Sequence, residues 1–178
     1  MRLLLPALEG HPKLHSLDLG DCKLGDEGLG LICSLLSSTE KKTDLRELTL
    51  TGNQGITQTG WTQLAMAIAN SCSLTSLFLD YTNIGDYGAG VFSVALAASK
   101  TIQVVDFEGC GITDTGGEFF YDLLTNYDTS LKEINLAENK ICEDLLEDIK
   151  DALSDGSNNT RNPSPKRRSP QGKAPSPE

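Results

Sequence analysis

Two histidines, five cysteines and 25 aspartates and glutamates are the side chains from which this 178-residue sequence could assemble reactive chemistry. Their spacing argues against it. His11 and His15 both lie near the beginning, and no Ser/His/Asp or Cys/His set runs along the chain to make a nucleophile and its base. No G-x-x-x-x-G-K phosphate loop and no H-E-x-x-H metal motif occurs. Cys22, Cys33, Cys72, Cys110 and Cys142 are odd in number and have no close pair, unlike a C-x-x-C metal site or a disulfide framework. They read as reduced thiols. Asp80 and Asp106 could in principle share a divalent cation, but an acidic surface accounts for them more simply. The expectation is a protein with no cofactor and no metal that is not an enzyme.

The elements that would position these groups come from a repeat. Aliphatic residues recur at offsets 0, 3, 5 and 10 in five frames: Leu14/Leu17/Leu19/Leu24, Leu45/Leu48/Leu50/Ile56, Leu74/Leu77/Leu79/Ile84, Ile102/Val105/Phe107/Ile112 and Leu131/Ile134/Leu136/Ile141. The second frame carries one extra residue within Gln54-Gly55. Offset 8 reads Cys22, Asn53, Thr82, Cys110 and Asn139, polar side chains able to bond backbone in the turn after a strand. Apolar residues at offsets 3 and 5 share one face of a short strand. The period then changes to that of a helix, in the pairs Ile32/Leu36, Leu64/Ile68, Phe92/Leu96, Phe120/Leu124 and Ile149/Leu153. A glycine precedes four of these pairs by four residues (Gly28, Gly60, Gly88, Gly116), so the Gly85-Asp86-Tyr87-Gly88 run is scaffold rather than a nucleotide cradle. Asp26, Gln58, Asp86, Asp114 and Glu143 stand where helix N-caps are expected.

The pattern L-x-x-L-x-L-x-x-N/C-x-L at 28 or 29 residues resembles the ribonuclease-inhibitor-type leucine-rich repeat. The resemblance covers residues 14–153. It implies an α/β leucine-rich-repeat solenoid, a horseshoe with parallel strands on the concave face and helices on the convex face. Three segments follow: residues 1–13 as the end of an incomplete N-terminal repeat, 14–154 as five leucine-rich repeats, and 155–178 as a disordered basic Ser/Pro tail. The first strand is expected to be an uncovered sheet edge. The last helix carries Glu143, Asp144, Glu147, Asp148 and Asp151 as a polar outer face, which also suits a basic partner.

Residues between the buried aliphatics are expected to point outward from the concave side. They place Phe78 and Tyr81 beside Asp80, Asp106 and Glu108 in the middle of the array. An aromatic anchor rimmed by acids is the composition of an interface for a protein with a basic surface. Such a module, non-enzymatic and acting by protein–protein interaction, is the function read from the residues.

Charge supports that class. The net charge is −10, and residues 155–178 hold five of the 15 Lys and Arg but only two acids, leaving the body at −13 and the tail at +3. An acidic body is unsuited to nucleic acid. Pro6, Glu9 and Lys13 cut short the apolar start, and no later run is long enough for a membrane span, so a cytoplasmic or nuclear protein is expected. The tail has Ser-Pro pairs at Ser164, Ser169 and Ser176, candidate phosphorylation sites, and the Lys166-Arg167-Arg168 cluster resembles a minimal nuclear-import signal. A tail-regulated nuclear or cytoskeletal adaptor is therefore the alternative. A further alternative, GTPase activation, is implied only by resemblance of the architecture to Ran-activating proteins; the body offers just Arg2 and Arg46 for it, and Arg46 is not in a post-strand loop.

Overall fold

The computed structural model describes Leu8, His11, residues 13–37 and residues 44–156. Five times the chain passes from a strand into a helix: β1 (Ser16–Asp18), α1 (Asp26–Ser37), β2 (Glu47–Thr49), α2 (Gln58–Asn70), β3 (Ser76–Phe78), α3 (Gly85–Ala98), β4 (Val104–Asp106), α4 (Asp114–Asn126), β5 (Glu133–Asn135) and α5 (Glu143–Gly156). The strands form one parallel sheet in sequence order. Each helix brings the chain back for the next parallel strand, and neighbouring helices pack against one another. The result is the leucine-rich-repeat solenoid. The expected repeat fragment at residues 1–13 lies, apart from Leu8, His11 and Lys13, outside the described residues, as does the expected tail beyond Gly156.

The register follows the aliphatic frame. Leu17, Leu48, Leu77, Val105 and Ile134 stand side by side across the sheet. In the middle strands Leu48, Leu77 and Val105 are buried, whereas Leu17 and Ile134 in the two edge strands are only half-buried. The helix stripe closes the other side of the core through Ile32, Leu64, Ile68, Phe92, Phe120 and Ile149. Between the layers Trp61, Phe92, Phe107 and Phe120 form a buried aromatic chain, with successive ring centroids 6.3, 5.4 and 5.3 Å apart. These rings join three repeats into one core, which no single repeat could bury alone.

Asparagine at offset 8 holds the turns of adjacent repeats together. Asn53 Nδ2 donates to the carbonyls of Leu19 (2.9 Å) and Leu50 (2.8 Å), while its Oδ1 accepts from the Leu24 N–H (2.8 Å). Asn139 repeats the arrangement with Phe107, Leu136 and Ile112. Cys110 and Thr82 bond the Leu79 carbonyl in the same place, as expected for this position. Buried backbone groups that lie beyond the strand ladder thereby find partners.

The expected N-caps are corrected in one respect. Asp26, Asp86 and Asp114 lie in the first turn of their own helices, and Gln58 likewise follows the actual N-cap Thr57, but the aspartate carboxylates accept from the helix entry of the following repeat. Asp26 takes the Thr57 N–H and hydroxyl (2.8 and 2.6 Å), Asp86 takes the Thr113 N–H and hydroxyl (both 2.7 Å) and the Gly116 N–H (3.1 Å), and Asp114 takes the Cys142 N–H (2.7 Å). Capping is thus carried across repeats. The cap also leaves no room for a side chain at two of the recurrent glycines: a Cβ on Gly116 would lie 2.5 Å from Ile112 Cγ2 and 2.6 Å from Asp86 Oδ1, and one on Gly60 2.4 Å from Asp26 Oδ1, whereas at Gly88 it would meet only Ile84.

Candidate functional site

Of the side chains singled out in the sequence, Phe78 and Asp106 end β3 and β4, and Asp80, Tyr81 and Glu108 stand in the turns that follow. The geometry of these turns is set at offset 7, where Asp21, Gly52, Tyr81, Gly109 and Glu138 all adopt left-handed backbone with φ between 51° and 71°. At a non-glycine residue this conformation is uncommon. In repeat 3 it turns the Tyr81 ring over the next repeat, where Gly109 has no side chain: a Cβ there would lie 2.7 Å from Tyr81 Cδ1. The tyrosine therefore spans from repeat 3 to repeat 5.

Its hydroxyl donates toward two carboxylates, Glu108 Oε1 at 2.6 Å and Glu138 Oε2 at 3.2 Å. Asn135 on β5 completes the set, donating to Glu108 Oε2 (2.9 Å) and Asp106 Oδ2 (3.1 Å), and the Glu108 N–H closes back on Asp106 Oδ1 (2.9 Å). Tyr81, Asp106 and Glu108 are thus brought together. Asp80 faces the other way and accepts from Thr51 Oγ1 at 2.7 Å. Phe78 stands in register between Thr49 and Asp106 and is half-buried.

This network fixes the electrostatics. The hydrogen bond to Glu108 first, then burial and the bond to Glu138, push the Tyr81 phenol well above its ordinary range, so it stays protonated as a donor. The bonds from Tyr81 and then Asn135 outweigh desolvation and hold the Glu108 carboxyl below the usual glutamate range. The Glu108 carboxylate is thus held beside a tyrosine that is itself 44% exposed.

Two participants were not among the residues expected to form the site. Asn135 is a strand residue on the same face. Glu138 shares offset 7 with Tyr81, and that shared position was the signal that could have found it. The candidate phosphorylation sites Ser164, Ser169 and Ser176 lie outside the described residues.

All five cysteines are free thiols; Cys22, Cys72 and Cys142 are exposed and Cys33 and Cys110 are buried. Burial pushes the Cys33 and Cys110 thiols up to about 11, which leaves them weak nucleophiles. Arg46 pairs with Asp44 at 3.0 Å, beside His15, at the strand-entry edge of the sheet. Among the described residues no group of three or more His, Cys, Asp and Glu is arranged to hold a metal ion, and no helix is long and apolar enough to cross a membrane.

Comparison with known proteins agrees with the fold. The family model "Leucine Rich repeat" matches residues 10–33 and 98–120. Leucine-rich repeat-containing protein 73 of Rattus norvegicus and of Homo sapiens is 48% identical over 156 residues, 88% of this chain. The chain spans about half, 49%, of the length of these relatives. Ribonuclease inhibitor of Sus scrofa is 30% identical over 138 residues, 76% of this chain and 29% of that protein. Among solved structures, "Leiomodin-1 Actin-Binding Site 2 (ABS2)" superposes with a TM-score of 0.71 at 16% identity, over 86% of this chain and 87% of that one. The last likeness concerns the fold alone.

Proposed function

Because this chain is a leucine-rich-repeat protein resembling leucine-rich repeat-containing protein 73, we propose that it is a non-enzymatic protein-binding module whose concave face takes a partner with a basic surface. The observation that carries the reading is the hydrogen-bonded set of Tyr81, Asp106, Glu108, Asn135 and Glu138, at the ends of β4 and β5 and in the turns after β3, β4 and β5. Phe78 supplies apolar contact and Asp80 extends the acidic rim toward repeat 2. The Tyr81 ring is pre-positioned by two carboxylates, so little ordering is lost when a guanidinium or ammonium stacks on it. The surrounding acids steer a basic partner and set its register.

Fluorescence anisotropy with labelled peptides tests this. Lys/Arg-rich peptides bearing an aliphatic or aromatic residue bind, weaken as salt rises, and lose at least ten-fold in affinity to D80K/D106K/E108K. Equal binding of acidic control peptides, or of the charge-reversed chain, contradicts the reading. A cytoskeletal role draws its support from the superposed leiomodin-1 domain, which is called actin-binding site 2. Co-sedimentation with filamentous actin checks it: saturable co-sedimentation supports that role, and its absence removes it.

A further inference from the structure

The outer side of the helix layer changes character from one repeat to the next. In α5 a stripe of four positions in helical register holds Asp144, Glu147, Asp151 and Asp155. The same four positions in α3 hold Tyr87, Gly90, Val94 and Ala98, and in α2 they hold Thr59, Thr62, Met66 and Asn70. Helix α2 contains no charged residue and α3 only Asp86, whose carboxylate is taken by Thr113 and Gly116. A helix that is apolar on its outer side as well as its inner one is suited to lie between two surfaces, not against water.

The apolar positions are continuous across three helices. Phe119 of α4 leans over Gly90, where a Cβ would lie 3.2 Å from its ring, and the Tyr87 hydroxyl meets Thr62 of α2 at 3.2 Å. Met66 occupies in α2 the position that Val94 occupies in α3. Met66, Tyr87, Val94 and Phe119 are 65, 49, 72 and 40% exposed, which amounts to a patch on the order of 400 Å².

We infer that this outer face of α2, α3 and α4 is a self-association surface, on which a second copy of the chain seats α3 against α3 in a two-fold dimer. Charge selects the occupant. A basic partner would be held better by acids at these positions, as α5 has them; a like-charged partner needs them absent. Two copies at −10 each repel in most orientations, and the uncharged outer side of α2 and α3 removes that repulsion where they would touch. The like-charged molecule always at hand is another copy.

The arrangement follows from the same pattern. A two-fold axis running along α3 keeps the helices parallel and sets each α2 over the partner's α4. Uncharged α2 then faces Glu118 and Asp122, and Met66 stands opposite the partner's Asp122, which holds the equivalent helix position. The acids of α5 lie about 20 Å from the axis, two helix spacings away and beyond a Debye length of about 8 Å. Covering the patch on both copies buries about 800 Å², and the neutral rim brings the contact to about 1,200 Å², the lower end for a specific pair. Such a contact corresponds to a weak dimer with a Kd of about 10 μM. Its apolar core and like-charged partners make it tighten as salt rises, the opposite of the salt response expected for a basic peptide.

Sedimentation velocity on the full chain tests this. The weight-average sedimentation coefficient rises from the monomer to the dimer value between about 1 and about 100 μM, and the transition moves to lower concentration in about 0.5 M salt. Val94→Glu, at the centre of the patch, weakens the dimer at least ten-fold and leaves the denaturant midpoint unchanged. Ser34→Glu, at the same helix position of α1, leaves both unchanged. Met66→Lys keeps the dimer and tightens it at low salt by pairing with the partner's Asp122. A chain that stays monomeric throughout overturns the inference, as does a dimer that Val94→Glu leaves intact. If Val94→Glu fails to fold, Met66→Lys decides: a tighter dimer at low salt supports the two-fold contact, and a lost or unchanged one overturns it.

Discussion

Asp86 and Glu108 are both carboxylates held below their ordinary range, yet they serve different ends. Burial opposes ionisation of Asp86, and the donors that outweigh it are the N–H and hydroxyl of Thr113 and the N–H of Gly116. They belong to the helix entry of the next repeat and cannot leave without opening the stack. Glu108 is held by Tyr81 and Asn135, side chains on an open face that can exchange one partner for another. An acid that caps a helix across repeats is scaffold; an acid held by exposed side chains is available to a ligand. Substitutions should therefore separate into those that change stability with binding intact and those that change binding with stability intact.

The largest expected effect lies on the scaffold side. Phe92→Ala removes a ring from the middle of the buried aromatic chain and costs about 3–5 kcal/mol, read from the denaturant midpoint. Peptide binding in the folded fraction stays as in wild type. Next comes the cross-repeat cap: Asp86→Ala costs about 1–2 kcal/mol, whereas Gln58→Ala stays within about 0.5 kcal/mol. The sign of the pH dependence follows. Because the folded pKa of Asp86 lies below its unfolded value, its contribution is present above about pH 4 and is lost as pH falls through the folded pKa. Acid titration of the Asp86→Ala difference checks it, and a difference that grows on acidification would break the assignment.

On the face, Tyr81→Phe leaves the midpoint unchanged but releases Glu108, whose pKa moves up toward the ordinary glutamate value in an NMR titration. Smallest of all, Asp80→Asn leaves stability unchanged and weakens a basic peptide only by its share of the rim charge, because Asp80 bonds Thr51 and stands outside the Tyr81 network.

The repeat was legible in the sequence because its signal is local and recurs five times: Leu48 and Leu50, or Phe92 and Leu96, reveal strand and helix by period alone. The aspartates were legible as caps but assigned to the wrong helix, since residues 27 to 31 apart meet only after stacking. The same limit hid Glu138, which lies 57 residues from Tyr81 and meets it only because Gly109 leaves room for the ring. The direction of Asp80 toward Thr51 likewise depends on a rotamer that no spacing rule encodes. Residue types on the open face were readable; which of them act together was decided by left-handed turns at offset 7.

Binding through the concave face is separated from attraction by overall charge when net charge is held constant. The triple reversal D80K/D106K/E108K on the open face is compared with E118K/D122K/E147K at exposed acids of the helix layer, using one Arg-rich peptide at fixed salt. At least a ten-fold loss of affinity is expected for the first and less than a two-fold change for the second. Equal losses in both would show that the peptide senses overall charge, and the concave face would then have no special part in binding.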